Sequence, residues 1–229
     1  MKFKEFLTLF FLNMKVSVLQ SIQYCKIILR YYSNFRFAKA DLYLRFLYLF
    51  SSPFKICKEF LVKRGDQDPY TYGETPLTTL ALIAKEANII SCDCIVELGS
   101  ARGINCFWLN SIVGCKVIGI EEVPEFVMRA QKVKEKLNFS SVEFILADFL
   151  DKSAPFPVGS CYYLYGSCLD EDSIKILVEK LEKLPRGTKI ITVSYPLSDY
   201  SECKSFEILK HFIAPFTWGQ GDVYIQVKK

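Results

Sequence analysis

The sequence predicts an α/β protein built on a mostly parallel seven-stranded sheet with an antiparallel last strand, preceded by an N-terminal helical subdomain. Three observations carry this reading. From Cys92 onward, short apolar runs alternate with helix-length amphipathic stretches, the pattern of βαβ units. The tail TWGQGDVYIQVKK reads instead as a hairpin-like pair, which sets an antiparallel strand beside parallel ones. Residues 3–62 hold no glycine and one proline, Pro53, with Leu, Phe, Tyr and Ile recurring between charges, and this favours helices with apolar faces.

The N-terminal segment, residues 1–66, has 12 Lys/Arg against 4 Asp/Glu, a balance of +8. Residues 67–229, the rest of the chain, carry 17 against 21, a balance of −4. The basic residues are spread among apolar ones. That suits a helical cover with a solvated face, and peripheral contact with a membrane surface is a second reading. Nucleic acid is not an expected partner, because no dense Lys/Arg patch gathers for phosphates. The opening MKFKEFLTLFFLNMK has an apolar run of only seven residues and no small-residue cleavage site, so no cleaved leader is expected. Lys15, Lys26, Arg30 and Arg45 interrupt every candidate transmembrane segment.

Lys63–Pro76 reads as a loop, after which Thr75 should cap, and Pro76 open, a helix over LTTLALIAKEANI. Then follow a strand in CIVELG, a helix over Ile104–Ile112, a strand in KVIGIE, a helix from Pro124 to Leu137, and strands in VEFILAD and CYYLYG. A helix over Asp170–Leu184, a strand in TKIITVS and a helix over Ser201–Phe212 come next. The chain ends in a strand around Thr217, a Gly-Gln-Gly turn and the strand VYIQV.

Several chemistries are set aside by composition. Nine cysteines are scattered along the chain with a single histidine, His211, so neither zinc nor another metal is expected. Free thiols in a reducing compartment suit this usage, which points to the cytoplasm and leaves secretion as an effector open. His211 reads as structural or surface, and no nucleophilic triad is visible.

The informative stretch is Glu97-Leu98-Gly99-Ser100-Ala101-Arg102-Gly103, at the end of the first strand. Glycine permits a sharp turn and close approach of a ligand, and the helix that follows offers free N–H groups. The spacing is G-x-x-x-G with Ala101 in the middle, not the dinucleotide G-x-G-x-x-G, so a nicotinamide enzyme is a minor alternative. An acid just before the turn suits an ammonium or sulfonium better than a pyrophosphate. Glu121 ends the second strand, where an acid can accept from ribose hydroxyls. Asp148 ends the third and can take an adenine amino group, with Phe149 packing on the ring.

In order and spacing, ELGSARG, GIEE and ADFL resemble the class I S-adenosylmethionine-dependent methyltransferases of Rossmann-like fold, over roughly residues 70–229. With YGET at Tyr72–Thr75, LPRGTKIITVSYPL and FTWGQGDVYI, the chain is similar to the non-SET histone-lysine methyltransferase family and its non-histone protein-lysine relatives. The resemblance implies S-adenosyl-L-methionine as cofactor and a protein lysine as acceptor. It implies that Tyr72, Gly73, Glu74 and Thr75 fold over the methionine end, and that Glu97, Gly99, Ser100 and Gly103 hold the amino-acid part. Glu121 would hold the ribose, and Asp148 with Phe149 the adenine. Where the histone enzymes carry an Asn-Asn pair, this chain has Tyr165-Gly166-Ser167, and the run Tyr163-Leu164-Tyr165 looks more like the non-histone relatives.

Transfer of a methyl group from a sulfonium needs alignment and exclusion of water. Tyr72, Tyr165, Tyr195 and Trp218 are the candidate channel lining, with Tyr72, Glu74 and Tyr165 as candidate catalytic residues. Two other readings are a methyltransferase for a small or lipid-like acceptor, with the aromatic N-terminal segment as lid, and a non-catalytic scaffold.

Overall fold

The computed structural model describes residues 14, 18, 21–66, 68–154, 156–201 and 204–229. Seven strands form one sheet: β1 (Cys94–Leu98), β2 (Lys116–Glu121), β3 (Val142–Leu146), β4 (Cys161–Leu164), β5 (Lys189–Val193), β6 (Phe206–Phe216) and β7 (Gly219–Lys228). Their order is β3-β2-β1-β4-β5-β7-β6. β1 to β5 pair in parallel, and β7 inserts antiparallel between β5 and β6. The direction of winding reverses between β1 and β4, which opens a crevice at the carboxyl ends of these strands.

The central strands are apolar almost throughout because both faces are covered. On β1, Ile95 enters one core layer while Val96 and Leu98 enter the other. The first layer takes α4 (Leu77–Glu86), α5 (Ile104–Trp108) and α6 (Pro124–Lys136); the second takes α7 (Glu171–Leu181). α7 starts where the Asp170 carboxylate accepts the Ser173 amide at 2.7 Å, a capping bond the flanking acids reinforce.

The N-terminal helices join the first layer. They are α1 (residues 21–31), α2 (Phe35–Leu47) and α3 (Pro53–Arg64). Asn34 caps α2 by accepting the Phe37 amide at 3.0 Å, and its amide group donates to the Ser111 carbonyl at 2.8 Å. α2 then buries Phe37, Ala40 and Leu44 completely. Tyr31 stands edge-on to Trp108 with ring centroids 5.4 Å apart. α3 opens with Pro53 in its first turn and stops at Gly65, whose φ of 90° is the left-handed cap glycine allows.

Four local expectations are corrected. The helix expected over Ser201–Phe212 is the edge strand β6, from Phe206. β6 is exposed on consecutive residues from Glu207 to His211, with a register shift between Ile208 and Lys210 and Pro215 near its end, so it shows no period of two. The hairpin turns at Thr217-Trp218, with Gly219-Gln220-Gly221 inside β7. Pro76 occupies the N-cap of α4 without a side-chain cap, because the Thr75 hydroxyl is spent on Tyr163. The helix expected over Ile104–Ile112 is α-helical to Trp108 and then a π-helical turn, Leu109–Val113, closed by the Gly114 amide on the Leu109 carbonyl at 3.1 Å.

Candidate functional site

The site is assembled at the carboxyl ends of β3, β2, β1 and β4. Register places Glu97 opposite Gly119, and Glu121 opposite Leu146, so the acids climb stepwise across adjacent strands toward Asp148. Gly99 turns the chain at φ 79°, and its amide and that of Ser100 both donate to the Ile120 carbonyl at 2.9 Å. The Ser100 side chain tucks under β2, so that a Cβ on Gly119 would fall 2.6 Å from its Oγ. Gly103, also at φ 79°, lets α5 start hard against β3: a Cβ there would meet the Phe144 ring at 2.5 Å.

Glu121 is buried and braces the turn. Its two oxygens accept the amides of Ala101 and Val123, each at 2.8 Å. Burial pushes its pKa up to about 7 against the pull of those amides. Glu97 is buried too, accepting from Asn105 Nδ2 at 2.8 Å and from the Cys106 thiol at 3.1 Å. Burial raises it to about 7 as well, with Glu74 and Glu121 adding like-charge repulsion. Neither carboxyl is ion-paired among the described residues. Two buried acids beside a glycine turn, without a counter-charge, fit a ligand that brings a cation and hydroxyl donors.

Asp148 is exposed and accepts the Leu150 amide at 2.8 Å, shaping the turn that carries Phe149. The Phe149 ring stands over Gly99, 3.8 Å from where a Cβ would sit. Lys180 on α7 was not singled out from the sequence. Its ammonium donates to the carbonyls of Phe149 at 2.7 Å and Asp151 at 2.6 Å, which pins this loop from behind.

The Tyr72–Thr75 loop lies across the ends of β1 and β4. Thr75 bonds the Tyr163 hydroxyl, and Gly73 fits against Tyr165, where a Cβ would come within 3.0 Å of the ring. Tyr72 packs edge-on to Phe54 of α3 at 4.8 Å and tilts against Phe126 at 5.6 Å. The Glu74 carboxylate takes a two-pronged grip from Arg102, with Nε at 2.9 Å, so the loop is fastened to the glycine turn itself. Burial alone would raise the Glu74 pKa, but the Arg102 charge and hydrogen bonds outweigh it and hold the carboxyl below its usual range. Arg102 is the main residue that motif reading missed. Its only sequence signal is a basic residue inside an otherwise small-residue turn.

Of the four aromatic side chains expected to line a channel, Tyr165 and Trp218 meet: Trp218 Nε1 donates to the Tyr165 hydroxyl at 2.6 Å, while the Tyr72 ring packs on Phe54 and Phe126 instead. Phe216 stacks between Tyr165 and Trp218 at 5.4 Å from each. Tyr195 packs in the opposite layer, edge-on to Tyr200 at 5.7 Å, with its hydroxyl beside Gly166 at the end of β4, where a Cβ would fall 2.8 Å away. His211 is an exposed strand residue, bonded to Asp222 at 2.7 Å and stacked on Tyr224. The described cysteines are free thiols, and no metal-ligating cluster occurs among the described residues.

No protein-family profile matches the chain. Among curated proteins it is similar to Protein-L-isoaspartate O-methyltransferase 2 of Archaeoglobus fulgidus, 30% identical over 132 residues, or 55% of this chain and 57% of that protein. Protein-L-isoaspartate O-methyltransferase of Methanococcus aeolicus is 27% identical over 135 residues, 53% of this chain and 60% of that protein. The chain thus spans less than two thirds of the length of either relative. TrmN from Thermus thermophilus superposes with a TM-score of 0.58 at 12% identity, over 66% of this chain and 48% of that one. An RNA methyltransferase from Salinibacter ruber, in complex with S-adenosyl-L-homocysteine, gives 0.54 at 20%, over 68% and 94%. MtNAS gives 0.55 at 14%, over 94% and 76%, so that likeness takes in the N-terminal helices. The fold is that of the Rossmann-like methyltransferases, a mostly parallel seven-stranded sheet with one antiparallel strand near its edge.

Proposed function

We propose that this chain is an S-adenosylmethionine-dependent methyltransferase that acts on a protein lysine side chain, with residues 67–229 as the transferase and residues 1–66 as its basic helical cover. The observation that carries the cofactor reading is the pair of buried acids without counter-charge, Glu97 and Glu121, around the Gly99–Gly103 turn. Glu121 would serve the ribose, Asp148 and Phe149 the adenine, and Glu97 with the glycine turn the amino-acid end. Ser100 would contribute through its backbone only, since its side chain is tucked under β2.

Bound cofactor supplies an electrophilic methyl on a sulfonium. The protein aligns the acceptor and keeps water away. Tyr165, set against Gly73, would form the inner wall, and the Phe216–Trp218 stack would lead outward; Tyr72, beside Gly73 in the chain, would close the loop side. A lysine amine, at a free pKa of about 10.4, loses its proton more readily against such aromatic walls. Glu74 is a poor proton acceptor because Arg102 holds it ionised, so its part is to fasten the loop. The proton leaves to solvent as the ammonium is drawn between the walls, before the amine meets the methyl.

Electrostatics favours an amine over a carboxyl. Arg102 is committed to Glu74, and Arg64 to Asp66 and Glu122, so the cations near the strand ends are neutralised. That leaves neither guanidinium free to pair a carboxylate acceptor. A carboxyl acceptor is the second reading, favoured by the names of the two curated relatives. The test is transfer of labelled methyl from the cofactor to lysine-containing and isoaspartyl-containing proteins, followed by mild alkali. Label that survives alkali on lysine supports the proposal; label released as methanol marks an ester and replaces lysine with carboxyl. Label found only in RNA, or no transfer by a chain that binds the cofactor, sinks the protein-acceptor reading.

A further inference from the structure

A helix that packs on a core from one side normally shows water a polar opposite side. α2 does not. Its inner face buries Phe37, Ala40 and Leu44, while its outer face and the turn into α3 expose another apolar row. Phe35, Leu42, Phe46, Leu49, Phe50 and Phe54 are 77%, 52%, 65%, 65%, 94% and 62% exposed. The spacing from Phe35 to Leu42 and Phe46 is that of one helical side, and Leu49 and Phe50 follow in the turn after α2. Isolated exposed apolar residues need no explanation, but four phenylalanines and two leucines exposed within twenty residues, with Lys39 among them, do.

The charges around the row have one sign. Residues 21–65 contain nine Lys/Arg against two acids, Asp41 and Glu59. Asp41 is buried and bound to Arg45 at 3.0 Å, which leaves Glu59 as the exposed acid of this stretch. Lys39 lies on the same helical side as the row, between Phe35 and Leu42, exposed and without an ion pair among the described residues. Lys63, at the far end of α3, is likewise exposed and outside any ion pair. Beyond the cover, the remainder of the chain is net acidic.

We propose that the outer face of α2 and the α2–α3 turn docks on an anionic lipid surface. Phenylalanines and leucines would enter the boundary between headgroups and acyl chains, while the lysines meet lipid phosphates and carboxylates. The segment would lie on the membrane, since no described helix is long and apolar enough to cross one. A row of Phe and Leu flanked by cations offers, among the described residues, few hydrogen-bonding fixtures to set the register of a protein partner. A fluid anionic surface requires none. The overall charge asymmetry then orients the molecule, with the basic cover toward lipid and the acidic transferase half away from it.

The inference does not depend on the reaction proposed above, and its test is physical. The full chain is sedimented with phosphatidylcholine vesicles, with and without phosphatidylserine, alongside Phe46→Ser/Phe50→Ser and Lys39→Glu variants. These side chains are exposed, so circular dichroism and melting temperature should match the parent. Expected are capture by the phosphatidylserine vesicles, weakening with salt, and a loss of more than about tenfold in partitioning for the double serine variant. Absence of capture, or capture unchanged in well-folded variants, overturns the proposal. So does an oligomer in lipid-free solution that the double serine variant converts to monomer, which would assign the row to a second copy of the chain.

Discussion

Glu97 and Glu121 show how a single residue records what a site is built to receive. Each carboxyl is raised to about 7 by burial, so each carries a proton in the folded chain at a pH where the unfolded chain has lost it. The folded state therefore binds more protons between the unfolded value of about 4.5 and about 7. Stability from these two groups is greatest at the acid end of that window, falls as pH rises through it, and is fully penalised above it. A thermal melt series from pH 5 to 8 should show this decline, and Glu97→Gln and Glu121→Gln should flatten it. Saturating cofactor should offset the same loss, because a sulfonium and an ammonium favour the ionised forms. Cofactor affinity accordingly rises with pH across the window in the parent and less so in the glutamine variants, as calorimetric titration would read. Lys180 acts on the site through the loop it holds. Lys180→Met removes both bonds to the Phe149–Asp151 backbone and should raise the cofactor dissociation constant about tenfold, with Lys180→Arg retaining part of the affinity.

At the scale of elements, the site depends on two segments far apart in sequence. The loop Tyr72–Thr75 and the turn Gly99–Gly103 are joined by Glu74 and Arg102, both largely buried. Arg102→Met strands the Glu74 charge and should cost about 2–3 kcal/mol in a chemical melt, whereas the double variant Glu74→Gln/Arg102→Met should cost less than the sum of the singles. The sign with pH is opposite to that of Glu97: the Glu74 pKa is lowered, so the pair stabilises above the unfolded carboxyl range and is lost as pH falls through the lowered value. Gly103 shows the tolerance of the turn. Its φ is left-handed, and the Phe144 ring that an added Cβ would strike is itself backed by Phe107 at 5.4 Å. Gly103→Ala should therefore cost about 3 kcal/mol, read from the midpoint shift in the same melt.

At the scale of the whole molecule, the N-terminal helices are less separable than their composition implies. The change of texture after residue 66 is real in sequence, but Tyr31, Phe37 and Leu44 lie in one core layer with Phe107, Trp108 and Phe126. Arg64 at the end of α3 reaches Glu122, next to Glu121, and Phe54 of α3 touches Tyr72. A piece comprising residues 67–229 alone would uncover this apolar surface. Such a piece should lack a cooperative melt and elute as aggregate; a sharp transition near that of the full chain would show that the cover is dispensable for folding.

The strands, their order of appearance and the acids near their ends were legible in the sequence, because alternation of apolar runs with helical stretches and a glycine turn are local signals. Glu97, Glu121 and Asp148 stand at neighbouring strands for that reason. β6 was not legible: an edge strand exposed on consecutive residues, with a register shift and a proline, carries no clean period, and its strand character comes from pairing with β7. The same holds for Thr75. Alone it looks like a helix cap, yet the Tyr163 hydroxyl, 88 residues away, claims its side chain. Tyr195 reads as a channel residue beside Tyr165, and only the sheet shows its ring in the opposite layer with its hydroxyl beside Gly166. Local sequence thus determined the secondary elements, the cofactor-type turn and the charge asymmetry, all of which act over a few residues. Only tertiary structure decided which hydroxyls and charges are already partnered, that Arg102 fastens the loop, and which apolar row of α2 is left facing out, because each depends on groups distant in the chain meeting at one place.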